Sequence, residues 1–132
     1  MKKMVEEAGA VVTRKGEKGC EVLLILSKKS PQVRIFPKGH IEAGESTADT
    51  AARELAEEAG VRARLLGEAG TVVYEFRGKT YRVVYHLFEY IAQCGTAEEG
   101  RDPCWFPLEN ASEILPSVEL QELLLRTACS LR

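Results

Sequence analysis

A chain of 132 residues, 45% hydrophobic and 29% charged with a formal net charge of −2, is long enough to bury a core without disulfide or metal staples. The near-neutral balance argues against nucleic-acid wrapping and against a polybasic membrane contact, and no apolar run approaches spanning length. Cys20, Cys94, Cys104 and Cys129 are widely spaced and form no C-x-x-C pair, so neither a zinc site nor a disulfide framework is indicated. Met1-Lys2-Lys3 runs on into Glu6 and Glu7 rather than a long apolar stretch, which reads against a signal peptide. The expectation is a cytoplasmic protein with free thiols. With no repeat, low-complexity tract or linker to divide it, residues 1–132 read as one domain.

Residues 8–14 (Ala-Gly-Ala-Val-Val-Thr-Arg) have the pattern of a first strand, and 15–19 form a charged, glycine-bounded turn. Residues 21–27 are too uniformly apolar for a strand wetted on one side and read as a central strand buried on both faces. A basic loop follows over 28–39. Its Lys28, Lys29, Arg34 and Lys38 place four positive charges within eleven residues of an acidic chain, a patch that attracts polyphosphate or is simply a solvated loop.

Residues 39–61 then read as a glycine-punctuated loop running into a helix. Ser46 is a suitable N-cap, Asp49 three residues on completes a capping-box pair, and Gly60 stands where a helix favours a left-handed residue. At about 100° per residue, Ala48, Ala51, Ala52, Leu55 and Ala59 share roughly a third of the circumference and form the expected buried stripe. Glu54, Glu57 and Glu58 fall opposite and beside it, with Arg53 at the margin. Carboxylates three and four residues apart repel, and Glu57 and Glu58 also oppose the macrodipole at the helix end. A solvated face is the ordinary reading of such a cluster. A hard divalent cation would resolve the repulsion, because magnesium takes oxygen ligands from a few carboxylates plus substrate phosphates.

Beyond the helix, residues 63–73 suggest a strand, interrupted at Gly67 and Gly70. Residues 75–89 read as a hairpin turning at Arg77-Gly78-Lys79. Alternation in its second strand sets Tyr81, Val83, Tyr85 and Leu87 on one side and Arg82, Val84, His86, Phe88 and Tyr90 on the other. Residues 97–102 form a polar loop, 103–108 hold a short Trp-Phe strand, and 109–115 a small helix. Ser117 caps a last helix whose apolar side is Val118, Leu120, Leu123, Leu124, Ala128 and Leu131. Periodicity alone gives an α/β class and no strand order.

The segment from Gly39 to Val61 resembles the Nudix box: glycine, five residues, glutamate, seven residues, then Arg-Glu-aliphatic-x-Glu-Glu-x-Gly-aliphatic. Gly39, Glu45, Arg53, Glu54, Leu55, Glu57, Glu58, Gly60 and Val61 fill every fixed position. The resemblance implies the Nudix fold, a mixed β-sheet sandwiched between α-helices (α/β/α), and hydrolysis of a phosphoanhydride with magnesium, or alternatively manganese, as cofactor. It implies Glu57 and Glu58 as main metal ligands. Glu54 is implied as a ligand through water or as general base, the carbonyl of Gly39 as a further ligand, and Arg53 as the residue orienting a catalytic glutamate. Glu45 is expected to hold the loop. Many family members recruit another acid from a distant loop; Glu98 and Glu99 are the candidates here, with Glu99 preferred.

The run Phe36-Pro37-Lys38-Gly39-His40-Ile41-Glu42 resembles the variant found in Nudix enzymes acting on diadenosine polyphosphates and diphosphoinositol polyphosphates. It implies that Lys38 contacts phosphate, and that His40 contacts phosphate or, as favoured, fixes the loop; Arg34, from the basic patch, is a further substrate-binding candidate. A nucleobase needs an aromatic face; Tyr85 and His86 are the candidates, while Trp105 reads as packing. The expected substrate is a diadenosine polyphosphate cleaved to release a mononucleotide, in a monomer or homodimer that binds neither nucleic acid nor membrane. The alternatives are an ADP-ribose or nucleotide-sugar pyrophosphatase, a pyrophosphatase that sanitises nucleoside triphosphates, and a silent nucleotide-sensing domain.

Overall fold

The computed structural model describes residues 3–130. Strands β1 (Met4–Gly16), β2 (Gly19–Leu26), β3 (Arg34–Ile35) and β4 (Lys38–His40) precede helix α1 (Thr47–Ala59). Then come β5 (Val61–Phe76), β6 (Lys79–Gln93), β7 (Cys104–Pro107), α2 (Leu108–Ile114) and α3 (Val118–Ser130). The strands form one seven-stranded sheet in the order β3-β2-β1-β6-β5, with β4 added to β1 and β7 to β2. β1 and β6 run parallel and the other pairs antiparallel, so the sheet is mixed.

Alternation splits the core in two. Val11, Val22, Leu24, Val83, Tyr85 and Leu87 face α2 and α3, where they meet Ala111, Leu115, Leu120, Leu123 and Leu124. Ala8, Ala10, Val12, Leu23, Ile25 and Phe88 face Ala51, Leu55 and Ala59 of α1. The sheet is therefore sandwiched between helices, as expected, and Val22–Ile25 of β2 are buried on both faces. Trp105 packs edge-on to Tyr90, with ring centroids 5.3 Å apart.

Several element bounds differ from the sequence reading. β1 begins at Met4, because Glu7 is accommodated inside it at 3% exposure. The basic loop contains two short strands, and its Lys38–His40 segment pairs with Glu7–Gly9 of β1. Gly67 and Gly70 do not break β5; they mark register shifts that let one long strand follow β6. Val118 is 61% exposed, since two residues before Leu120 it lies about 200° round the helix from it. The Ala128 and Cys129 side chains and Leu131 lie outside the described residues. Cys20, Cys94 and Cys104 are free thiols, and among the described residues no helix is long and apolar enough to cross a membrane.

Candidate active site

Helix α1 is fixed at both ends by its own sequence. Ser46 and Asp49 form the reciprocal capping box, and Gly60 takes the left-handed conformation (φ 66°) with its N–H donating to Ala56. The buried face is rotated relative to the expected stripe. It comprises Thr50, Ala51, Leu55, Glu58 and Ala59, while Ala52 is exposed. Ala52 and Glu58 lie about 60° to either side of Leu55. The helix turns its acid, not its alanine, toward the sheet because polar partners wait there.

Those partners take both oxygens of Glu58, a residue 6% exposed. Oε1 accepts the Lys38 backbone N–H at 3.0 Å and Oε2 accepts Arg101 Nη2 at 3.0 Å. Arg101 also donates to Glu98 Oε1 at 2.7 Å and to the Leu26 carbonyl at 3.1 Å. A second cation, Arg53, grips Glu45 through Nε and Nη2 at 2.8 and 3.0 Å and the His40 carbonyl at 3.0 Å. Its Nη1 lies 3.4 Å from Glu54 and 3.3 Å from Glu57. Glu45 further accepts the Thr50 hydroxyl and the Glu42 N–H. Glu45 thus holds the loop, and hydrogen bonds from Arg53 and Thr50 lower its carboxyl to about 2.

Glu7, Lys38, Gly39, His40, Glu42, Arg53, Glu54, Glu57, Glu58 and Arg101 line a cleft of about 410 Å³ together with Ser27, Lys28, Lys29 and Ile35. Burial, then the charges of Glu58 and Glu57, raise the Glu54 carboxyl to about 7. Burial likewise raises Glu58 to about 7, against the opposing pull of Arg101 and Lys38. Gly39 packs so closely on Glu54 that a Cβ there would overlap its carboxylate. Among the described residues no three acidic, histidine or cysteine side chains already converge on one point. The donor set nonetheless suits a divalent cation: its acids are hard oxygen ligands, two of them resist ionisation alone, and glycine keeps the approach to Glu54 open.

The other predicted residues are distributed as follows. The Lys38 ammonium bonds Glu7 at 2.7 Å; burial lowers its pKa, but the Glu7 carboxylate outweighs that and leaves it raised. His40 is exposed, with Nε2 3.4 Å from Glu7. Arg34 lies outside the cleft lining, forked onto Asp102 and stacked over Phe106. His86 is on the α1 face, its Nε2 2.7 Å from the Thr47 hydroxyl, with its pKa lowered by burial. Tyr85 is 2% exposed, edge-on to Phe36 at 5.6 Å, with its hydroxyl pushed well above the usual range by burial. Glu99 is exposed and outside the cleft lining, while its neighbour Glu98 is bound by Arg101 and by Lys28.

Beside the acid cleft is an apolar cavity of about 700 Å³ walled by Val33, Val72, Tyr74, Phe76, Tyr85 and Leu120, among others. Tyr74 stacks on Tyr81 at 5.0 Å and 6° between planes. Ser27, Lys29, Ile35 and Lys38 line both spaces. The hairpin does supply the aromatic wall, but through Tyr74, Phe76 and Tyr85 rather than His86. Sequence reasoning missed Glu7 and Arg101. An acid beginning an apolar strand was a weak signal for the first. The second carried none, because Glu58, its partner, is 43 residues away.

A family model described as the NUDIX domain matches residues 4–126. The chain is 32% identical over 127 residues to the asymmetrical bis(5'-nucleosyl)-tetraphosphatase of Caenorhabditis elegans, covering 92% of each protein. It is 30% identical over 114 residues to diphosphoinositol polyphosphate phosphohydrolase 2 of Rattus norvegicus, covering 83% of this chain and 63% of that relative. Some curated relatives are longer still, and the chain spans 31% of one of them. A crystal structure of a C. elegans Ap4A hydrolase binary complex superposes with a TM-score of 0.85 at 30% identity, over 96% of this chain and 97% of that one.

Proposed function

The chain belongs to the Nudix family of pyrophosphohydrolases, and on that premise we propose that it cleaves a phosphoanhydride in a dinucleoside polyphosphate, most specifically a diadenosine polyphosphate, releasing a mononucleotide. The observation that carries the reading is the adjoining pair of spaces: a cleft lined by Glu54, Glu57 and Glu58, opening beside an aromatic-walled cavity that shares Lys29 and Lys38 with it. One end of the substrate needs a ring face and the other needs charge neutralisation, and the shared lysines stand between them.

Family members generally use divalent metal ions. Glu54, Glu57, Glu58 and the Gly39 backbone would hold one here, and magnesium is the proposed ion. When bound, it supplies neutralisation of the phosphate oxygens and acidification of water. Arg53 keeps Glu54 and Glu57 on the cleft side of α1 and ties α1 to the His40 backbone. Glu54, which lines the cleft beside Glu57 and Glu58, is the proposed general base. Lys38, fixed against Glu7, presents a raised and therefore persistent positive charge to the phosphate chain. His40 and Tyr85 border these two spaces. Arg34, His86 and Glu99 lie outside the linings of both spaces.

The test is turnover of diadenosine tetraphosphate, ADP-ribose and nucleoside triphosphates by pure protein with magnesium, with the products identified. Diadenosine tetraphosphate should be the best substrate and yield a mononucleotide; fastest turnover of ADP-ribose would overturn the choice. Glu57→Gln with Glu58→Gln should cut kcat by at least about a hundredfold. Wild-type rates in that double variant would defeat the mechanism.

A further inference from the structure

Five cations line the acid cleft, and four are already ion-paired with this chain's own acids. Lys28 pairs with Glu98 at 3.0 Å, Lys38 with Glu7 at 2.7 Å, Arg53 with Glu45 and Arg101 with Glu58. Among the described residues Lys29 alone of these makes no ion pair. Its ammonium instead lies 4.0 Å from the Tyr81 ring centroid and 4.9 Å from that of Phe76. A ring face holds an ammonium in place without cancelling its charge. Lys29 also lines both the acid cleft and the aromatic cavity. An anionic chain running from a base in that cavity toward the acids passes the shared Lys29 and Lys38, and of these two only Lys29 is without an acid partner among the described residues.

We propose that Lys29 is a specificity-determining residue, the uncompensated cation that takes the substrate's phosphate chain between the base cavity and the acid cluster. The inference rests on the dinucleoside polyphosphate reading and sharpens it. A linker with more charge gains more from Lys29 than a two-phosphate linker does. The Tyr81 and Phe76 rings position the ammonium beforehand, so less side-chain freedom is lost on binding.

The test is calorimetric titration of the purified protein at low ionic strength with magnesium tripolyphosphate and, separately, with adenosine. Lys29→Met should weaken tripolyphosphate binding about tenfold and leave adenosine unchanged. Lys29→Arg should bind tripolyphosphate within about twofold of wild type. Lys18→Met, in the exposed turn between β1 and β2, should match wild type. Raising salt to about 0.5 M should close most of the gap. Unchanged tripolyphosphate affinity in Lys29→Met, no tripolyphosphate binding by wild type, or an equal loss of adenosine would each overturn the proposal; the last would make Lys29 a wall residue. Turnover on the substrate panel is read independently. A Lys29 effect in a protein that prefers ADP-ribose would keep the cation and discard the dinucleoside substrate.

Discussion

Arg101 is the residue on which the acid cluster most depends, though nothing about its local sequence marks it. It is 9% exposed and bonds Glu58, Glu98 and the Leu26 carbonyl at once. Removing one partner of a buried ion pair leaves the other desolvated and uncompensated. Arg101→Met should therefore destabilise the protein by about 3 kcal/mol in denaturant titration. Adding Glu58→Gln should recover part of that, because the orphaned charge is gone; additive losses would show that the pair is not coupled. The acids themselves were legible from spacing alone. Their pairing was not, because a helix wheel places Ala52 and Glu58 symmetrically about Leu55 and polarity favours burying the alanine. Arg101, supplied by a distant loop, and the Lys38 N–H reverse that choice.

Among the elements, α1 transmits order to the site through its ends. The Gly60 carbonyl accepts the Cys94 N–H and the Glu58 carbonyl accepts the Glu98 N–H, so the helix end carries the loop that presents Arg101. A Cβ on Gly60 would lie 2.7 Å from the Gly95 carbonyl oxygen, at a φ of 66°. Gly60→Ala should cost about 2 kcal/mol or more, the left-handed strain plus the backbone collision. Gly44→Ala meets nothing within 4 Å at φ 84° and should cost only about 1 kcal/mol. Equal melting temperatures for the two variants would mean that the Gly95 contact relaxes freely. The capping box, the Gly60 stop and the β5–β6 turn were all readable beforehand, since each depends on residues within a few positions of one another.

For the molecule as a whole, the acid cluster makes stability depend on pH. Glu54 and Glu58 hold their protons to about 7 in the folded state against an ordinary value of 4.5. Between those values the native state binds more protons than the unfolded chain, so without metal their contribution falls as pH rises and levels off above about 7. Glu45, lowered to about 2, acts in the opposite sense, and its contribution is lost only as pH falls below 4.5. Glu54→Gln removes one raised group. In chelator, its melting temperature relative to wild type should climb from pH 4.5 to 7 and then flatten. Parallel curves would show that Glu54 ionises in the folded protein as it does in the unfolded chain. Magnesium should stabilise wild type more at pH 8 than at pH 5, as it would for any ion held by ionised carboxylates.

The sequence alone determined the family, and through it implied the sandwich; it also determined the α/β class, the capped acidic helix and the alternation of β6. Each is written either in a motif with fixed spacing or in a period of 3.6 or 2.0 residues. Tertiary structure decided which face of α1 turned inward, which aromatic rings walled the cavity, and which cations were already occupied. Those outcomes depend on Glu7, Lys38, Glu98 and Arg101 arriving from separate strands and loops. Charge compensation is a property of distance in space, and the positions of lysines and glutamates along a chain do not specify which of them will meet.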